Sequence, residues 1–191
     1  MAAFIVRQAR ALFLERGYAR TTMDDLAAYC RMSKSTLYRL FDRKADVFAA
    51  IVEDHRHSML ALPGNYKGMP LEEALARIFY VGISDEDDRK RLALIRLVVV
   101  EARELPELHD ILVQHGVERD RHDLAQWLEG RIAAGEITAC DTADCAKALM
   151  DLMFGAVVMK PHEPPKWPDR QERIRYQLSC LRMFVSGLLP R

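Results

Sequence analysis

The stretch from Met32 to Lys44, MSKSTLYRLFDRK, places the hydroxyls of Ser33, Ser35 and Thr36, the phenol of Tyr38 and the bases Lys34, Arg39, Arg43 and Lys44 around Leu37, Leu40 and Phe41. The three apolar residues keep helical spacing, which leaves the donors on the remaining surface. A helix N-terminus presents unpaired amides and a partial positive charge, and Ser33, Lys34, Ser35 and Thr36 stand where they would add side-chain donors for an anion. Tyr38, Arg39, Arg43 and Lys44 extend the reach of the set. Such a group fits DNA phosphates on its flanks and base edges in the middle of a major groove. The alternative is a solvated helix face beside a core edge, where basic and hydroxyl side chains are common.

The neighbouring sequence supplies the elements that would position this stretch. Ile5, Ala9, Leu12 and Phe13 line one face of a helix over residues 3–16, and Gly17 stands at its C-terminal cap. Thr22 precedes a second helix over 23–30, with Asp25 at the capping-box position and Leu26 and Cys30 inward. Only Arg31 and Met32 separate it from Ser33, a second N-cap, so two short helices joined by a tight turn form a helix-turn-helix. A fourth helix over 44–60 carries Val47, Phe48, Ile51, Val52, His55 and Met59 along one side. It ends near LPGNYKGMP, where Pro and Gly break any regular pattern.

Beyond that break the patterns are again helical, so the expected fold class is all-α. Helices are expected over 71–83, over 89–104 after an acidic loop SDEDDR, over 106–134 with a possible break at Gly116, over 142–159 and over 169–188. Asp141 and Asp169 stand at N-cap positions of the last two. The 89–104 segment is apolar on nearly every side, through Leu92, Leu94, Ile95, Leu97, Val98, Val99 and Val100, which predicts a helix buried by others and a ligand pocket around it. Candidate ligand-binding residues are Phe79, Tyr80, Arg96, His122 and Trp127. The competing role for Arg96 is an ion pair with Glu101 or another carboxylate that stabilises the bundle.

The chain of 191 residues is half apolar, enough to bury a sizeable core, and its 28 bases balance its 28 acids. The balance is uneven along the chain: residues 1–50 carry nine bases and five acids, a net +4, which leaves −4 for the rest. A basic head on an acidic body predicts an anionic partner for the head. No aliphatic run approaches the roughly 20 residues of a spanning helix, and the start lacks the charged and apolar regions of a signal peptide, so a cytoplasmic protein without membrane contact is expected. Cys30, Cys140, Cys145 and Cys180 form no C-x-x-C pair and are expected as reduced thiols. His55 and His57, two apart on a helix, point to different sides, and His115 with His122 is no better supported, so no metal site is assigned. No P-loop, dinucleotide fingerprint, zinc-protease motif or nucleophile elbow is present, so neither catalytic residues nor a cofactor is expected.

The segment IVRQARALFLERGYARTTMDDLAAYCRMSKSTLYRLFDRKADVFAAIV, Ile5 to Val52, resembles the DNA-binding domain of the TetR family of transcriptional regulators along its entire length. The resemblance rests on LFLERGY, TTMDDLA, SKSTLYRLF and the lysine that opens the fourth helix. It implies that Thr22, Tyr38 and Lys44 hold the phosphate backbone, that Lys34, Ser35, Thr36 and Arg39 lie toward the groove, and that Ser33 is a cap. RLVVVEARELPEL and the later GEI are similar to AefR-like C-terminal domains. The implied organisation is a helix-turn-helix domain over 1–52 and a helical ligand-binding and dimerisation domain over 53–191. The implied function is a repressor released from a palindromic operator by a small lipophilic effector. The last two helices would pair with their copies in a homodimer through Leu149, Met150, Met153, Phe154, Val157, Ile174, Leu178, Leu181 and Val185. Two positions depart from the family pattern: Arg31 stands where glycine is usual, and Leu40 where an aromatic or histidine is usual. The chain also begins too near its first helix for the basic N-terminal arm of some members. A helical small-molecule carrier or sensor that has lost specific DNA binding is the alternative.

Overall fold

The computed structural model describes residues 1–101 (Val99 by its backbone alone), 104–155 and 170–189. The protein is all-α. Ten α-helices are described: α1 Ala2–Arg16, α2 Met23–Tyr29, α3 Lys34–Tyr38, α4 Lys44–Met59, α5 Leu71–Ile78, α6 Asp85–Glu101, α7 Pro106–Leu112, α8 Glu118–Ala133, α9 Thr142–Phe154 and α10 Arg170–Leu188. A π-helical turn, Val113–Val117, joins α7 to α8. The chain divides into two compact units, one of Met1–Ser58 with Glu86–Arg119, the other of Met59–Asp85 with Asp120–Arg191.

In the first unit the apolar face of α1 is buried as its spacing predicts, with Ile5, Ala9, Leu12 and Phe13 inaccessible to solvent. Phe13, Tyr18 and Phe48 stack at centroid distances of 5.1, 5.3 and 6.2 Å, which joins α1 and α4 around one aromatic cluster. Helix α2 opens on the expected capping box, and α3 opens on Ser33, whose hydroxyl accepts from the Thr36 amide. Arg31 holds the left-handed turn between them at φ 53°, the conformation for which glycine is the usual residue.

Several expectations are corrected. The acidic run is not a loop: α6 starts at Asp85, because carboxylates in a first turn favour the positive helix end. One of them, Asp88, forms a buried ion pair with Arg91 at 2.5 Å. Nor is α6 buried on every side, since Leu92, Leu94 and Val98 are covered while Val100 is 69% exposed. The interruption at Gly116 is the π turn, where an added Cβ would lie 3.1 Å from the Val52 side chain, so glycine permits the close approach to α4. Helix α5 stops at Ile78, ahead of the positive φ angles of Tyr80 and Gly82. Asp169 and the Pro-rich segment before it lie outside the described residues.

The second unit is pinned by Arg131. Its buried guanidinium donates to the carbonyls of Tyr66 (2.8 Å) and Met69 (3.1 Å), pairs with Glu136 and lies 4.8 Å over the Trp127 ring. Trp127 in turn meets Tyr66 edge-on at 6.2 Å, and Phe79 packs on Phe154 at 5.7 Å. Thr138 closes the end of α10 by donating its amide and hydroxyl to the Leu188 carbonyl.

Arg31→Gly, which removes the Cβ from a left-handed position, should raise the unfolding free energy by about 1 kcal/mol, read as a higher midpoint in a urea melt.

Candidate nucleic-acid interface

The helix-turn-helix presents its donors from a frame whose local bonds are closed within the chain. The Thr22 hydroxyl accepts from the Asp25 amide at 3.1 Å and donates to the Asp25 carboxylate at 2.6 Å, while the Thr22 amide donates to the same oxygen at 2.9 Å. Those bonds hold the Asp25 carboxyl below the usual range. The Ser33 hydroxyl lies 2.9 Å from that of Ser35 and 2.8 Å from that of Thr36. Ser33 and Thr22 are therefore caps first. Any phosphate contact by Thr22 shares an oxygen already engaged.

Lys34, Ser35, Tyr38 and Arg39 are exposed, and Thr36 is half-buried. The Lys34 ammonium pairs with Asp24 of α2 at 2.6 Å, which raises its pKa. Tyr38 and Arg39 have no side-chain partner among the described residues. Helix α3 is a little over one turn long. Arg39 caps it with helical angles, and the amides of Leu40 and Phe41 both donate to Leu37, so the donors expected further along the helix stand on the turn that follows it.

Lys44 differs most from expectation. Its ammonium donates to the carbonyls of Tyr18 and Thr21, both at 2.7 Å, and lies 4.1 Å from the centre of the Tyr18 ring. Two of its three hydrogens thus tie the start of α4 to the turn between α1 and α2, which leaves one for an outside acceptor. Burial lowers its pKa, and the carboxylates of Glu101 and Glu107 oppose that effect. The same burial pushes the Tyr18 phenol up to about 12. The Glu101 carboxylate, from the end of α6, accepts from the Tyr18 and Ala19 amides at 2.8 Å each. Glu101, one carboxylate considered for Arg96, instead makes a main-chain contact that spacing within one helix cannot signal.

The residues expected around a ligand are divided. Phe79, Tyr80 and Trp127 lie in the second unit, whereas Arg96 belongs to the first and His122 is exposed. Tyr66, which sequence spacing did not single out, joins the group through Trp127. Among the residues expected at a dimer interface, Leu149 and Leu181 are inaccessible within their own chain, and Met150, Met153 and Val185 are also buried. These five are core. Phe154, Ile174 and Leu178 are half-buried, and Val157 lies outside the described residues. The large apolar side chains that α10 leaves open are Tyr176, 53% exposed, and Met183, 66% exposed.

Residues 5–51 match the family described as bacterial regulatory proteins of the tetR family, and residues 75–186 match the AefR-like transcriptional repressor C-terminal domain. The chain belongs to the TetR family. An uncharacterized HTH-type transcriptional regulator of Mycobacterium bovis is 34% identical over 159 residues, which covers 81% of this chain and 74% of that protein. The biofilm operon negative transcriptional regulator IcaR of Staphylococcus aureus is 30% identical over 88 residues, 44% of this chain and 47% of IcaR. Among solved structures, the flavonoid-responsive regulator FrrA is 26% identical, with a TM-score of 0.70 over 100% of this chain and 97% of its own. The protein is a TetR-family transcriptional regulator whose helix-turn-helix is residues Met23–Tyr38 with the Arg31 turn. TetR regulators bind DNA and small-molecule effectors. Among the described residues, no helix is long and apolar enough to cross a membrane, and no group of three or more His, Cys, Asp or Glu side chains is gathered as for a metal ion.

Because Lys44 ties the start of α4 to the turn after α1, Lys44→Ala should lower the unfolding free energy in the absence of DNA by about 1–3 kcal/mol, the worth of two charge-assisted bonds and a ring contact. Lys34→Ala should leave the melting temperature where it is, since its pair is exposed. Thermal melts of the two variants beside the wild type make the comparison.

Proposed function

We propose that this regulator is a homodimeric repressor that holds a palindromic operator in the cytoplasm and releases it when a lipophilic aromatic molecule binds the second unit. The observation that carries the reading is the outward set of Lys34, Ser35, Tyr38 and Arg39 on a doubly capped helix-turn-helix. Lys34, Ser35, Thr36 and Arg39 face the groove, and Tyr38 with the last ammonium hydrogen of Lys44 holds phosphate. Residues 1–52 carry the reading elements, and 53–191 carry the effector and dimer elements. Repression is supported by the likeness to IcaR, which is named a negative regulator. An aromatic effector is supported by the likeness to FrrA, which is named flavonoid-responsive, and by the Phe79–Phe154 and Tyr66–Trp127 pairs beside Tyr80.

The two copies meet through the face of α10 that carries Tyr176 and Met183, flanked by the half-buried Phe154, Ile174 and Leu178. A two-fold axis then sets two recognition helices on one side of the duplex.

Selection of duplexes from a random pool should recover an inverted repeat with half-sites about one helical turn apart. A flavonoid panel should weaken that complex by roughly 5–150-fold. Recovery of no preferred duplex would sink the repressor reading. Flavonoid binding without DNA binding would then mark a carrier or sensor. The dimer face has its own measurement: light scattering should find Met183→Glu monomeric and folded, whereas Leu181→Glu, at a core position, should unfold. A folded dimer for Met183→Glu would move the interface elsewhere.

A further inference from the structure

The turn that connects α1 to α2 is held from both sides by opposite charges. The Glu101 carboxylate takes the Tyr18 amide on one oxygen and the Ala19 amide on the other, each at 2.8 Å. Lys44 takes the carbonyls of Tyr18 and Thr21 at 2.7 Å. Tyr18 is thus gripped by its N–H from α6 and by its C=O from α4. A third observation marks the carboxylate's place as built. Gly17, at φ 86°, leaves open the space that a Cβ would occupy, and that Cβ would stand 2.7 Å from Glu101 Oε1. A Cβ there would push the carboxylate aside, and the positive φ would strain any side chain that carried it.

The segment so held ends at Thr22, the N-cap of α2, and α2 carries the Arg31 turn and α3. A carboxylate that accepts two main-chain N–H bonds is a directional anchor, because both bonds are charge-assisted and their geometry is fixed by consecutive peptides. We propose that Glu101 is a positioning residue for DNA recognition: from the last residue of α6 it fixes the turn that carries α2 and α3, so the pitch of the reading surface depends on where α6 ends. The inference rests on the DNA-binding reading above, and Glu101 itself touches no DNA.

The sign of a charge change separates this role from long-range electrostatics. Removing a negative charge from a DNA-binding protein should by itself tighten binding to a polyanion. Glu101→Gln keeps one acceptor and sets an amide NH2 against the other main-chain N–H, so the positioning role requires weaker binding instead. The expected result is a loss of about tenfold on the duplex recovered with the wild type, together with faster hydrogen exchange at the Tyr18 and Ala19 amides. Gly17→Ala, which keeps the charge and fills the carboxylate's space, should produce the same pair of changes. Binding by folded Glu101→Gln as tight as or tighter than wild type overturns the proposal. For a Glu101→Gln chain that did not fold, Glu101→Asp gives the reading, since it keeps the charge one methylene short of the turn: weaker binding supports the role, and unchanged binding overturns it. If the wild type recovers no duplex, the regulator reading fails. Exchange at the two amides then still decides the grip, with unchanged rates in the variants counting against it.

Discussion

The ammonium of Lys44, bonded to two carbonyls of the turn after α1 and stacked on the Tyr18 ring, is the contact on which the reading surface depends. It closes a loop of structure. Helix α1 ends at Gly17, the turn runs to the Thr22 cap, α2 and α3 follow, and Lys44 returns α4 to the turn where the sequence of elements began. Removing the ammonium would leave two carbonyls without their bonds, and such losses exceed the modest net worth of a typical hydrogen bond. The short helices between need this closure. Helices of seven and five residues do not persist in water alone, so their direction is set by caps and by tertiary contacts.

Within that frame most polar groups of the reading surface are already partnered inside the chain. Thr22 is bound to Asp25, Lys34 to Asp24, and Ser33 to Ser35 and Thr36. This arrangement favours rigidity over reach. Caps that are satisfied before DNA arrives need no ordering on contact, which lowers the entropy that binding must overcome. Tyr38 and Arg39 differ, as they extend outward without side-chain partners among the described residues. In the proposed complex they are the groups whose hydrogen bonds pass directly from water to DNA.

How much of this was legible depended on the distance along the chain over which each signal acts. The α1 face, the Thr22 and Ser33 caps and the Arg31 turn are local, and residue type and spacing within a few positions identify them. The acidic run before Arg89 has the composition of a solvated loop, although the same carboxylates suit the first turn of α6. The grip of Glu101 on Tyr18 and Ala19 joins residues far apart in the chain, and no periodicity announces it. Arg131 is similar, since its partners Tyr66 and Met69 lie in a loop that precedes α5. The stripes on α9 and α10 show a different limit. Hydrophobic spacing identifies which face is covered and not what covers it, so Leu149 and Leu181, buried by their own chain, carried the same pattern as an interface.

The Lys34–Asp24 pair bears on how residues 1–50 use their net positive charge. A lysine that meets phosphate releases a counterion from DNA, and that release drives binding at low salt. Here one hydrogen of the ammonium goes to a carboxylate 2.6 Å away, so a phosphate that met Lys34 would share it with Asp24. Asp24 already neutralises part of that charge, so in the proposed complex Lys34 contributes less to the salt dependence than its charge implies. Arg39 has no such debt among the described residues. In the proposed complex a base edge can accept from the hydrogens that Asp24 leaves free, at closer range than screened phosphate. On the proposed reading the pair tempers non-specific attraction more than recognition, through a residue of α2 rather than of the reading helix.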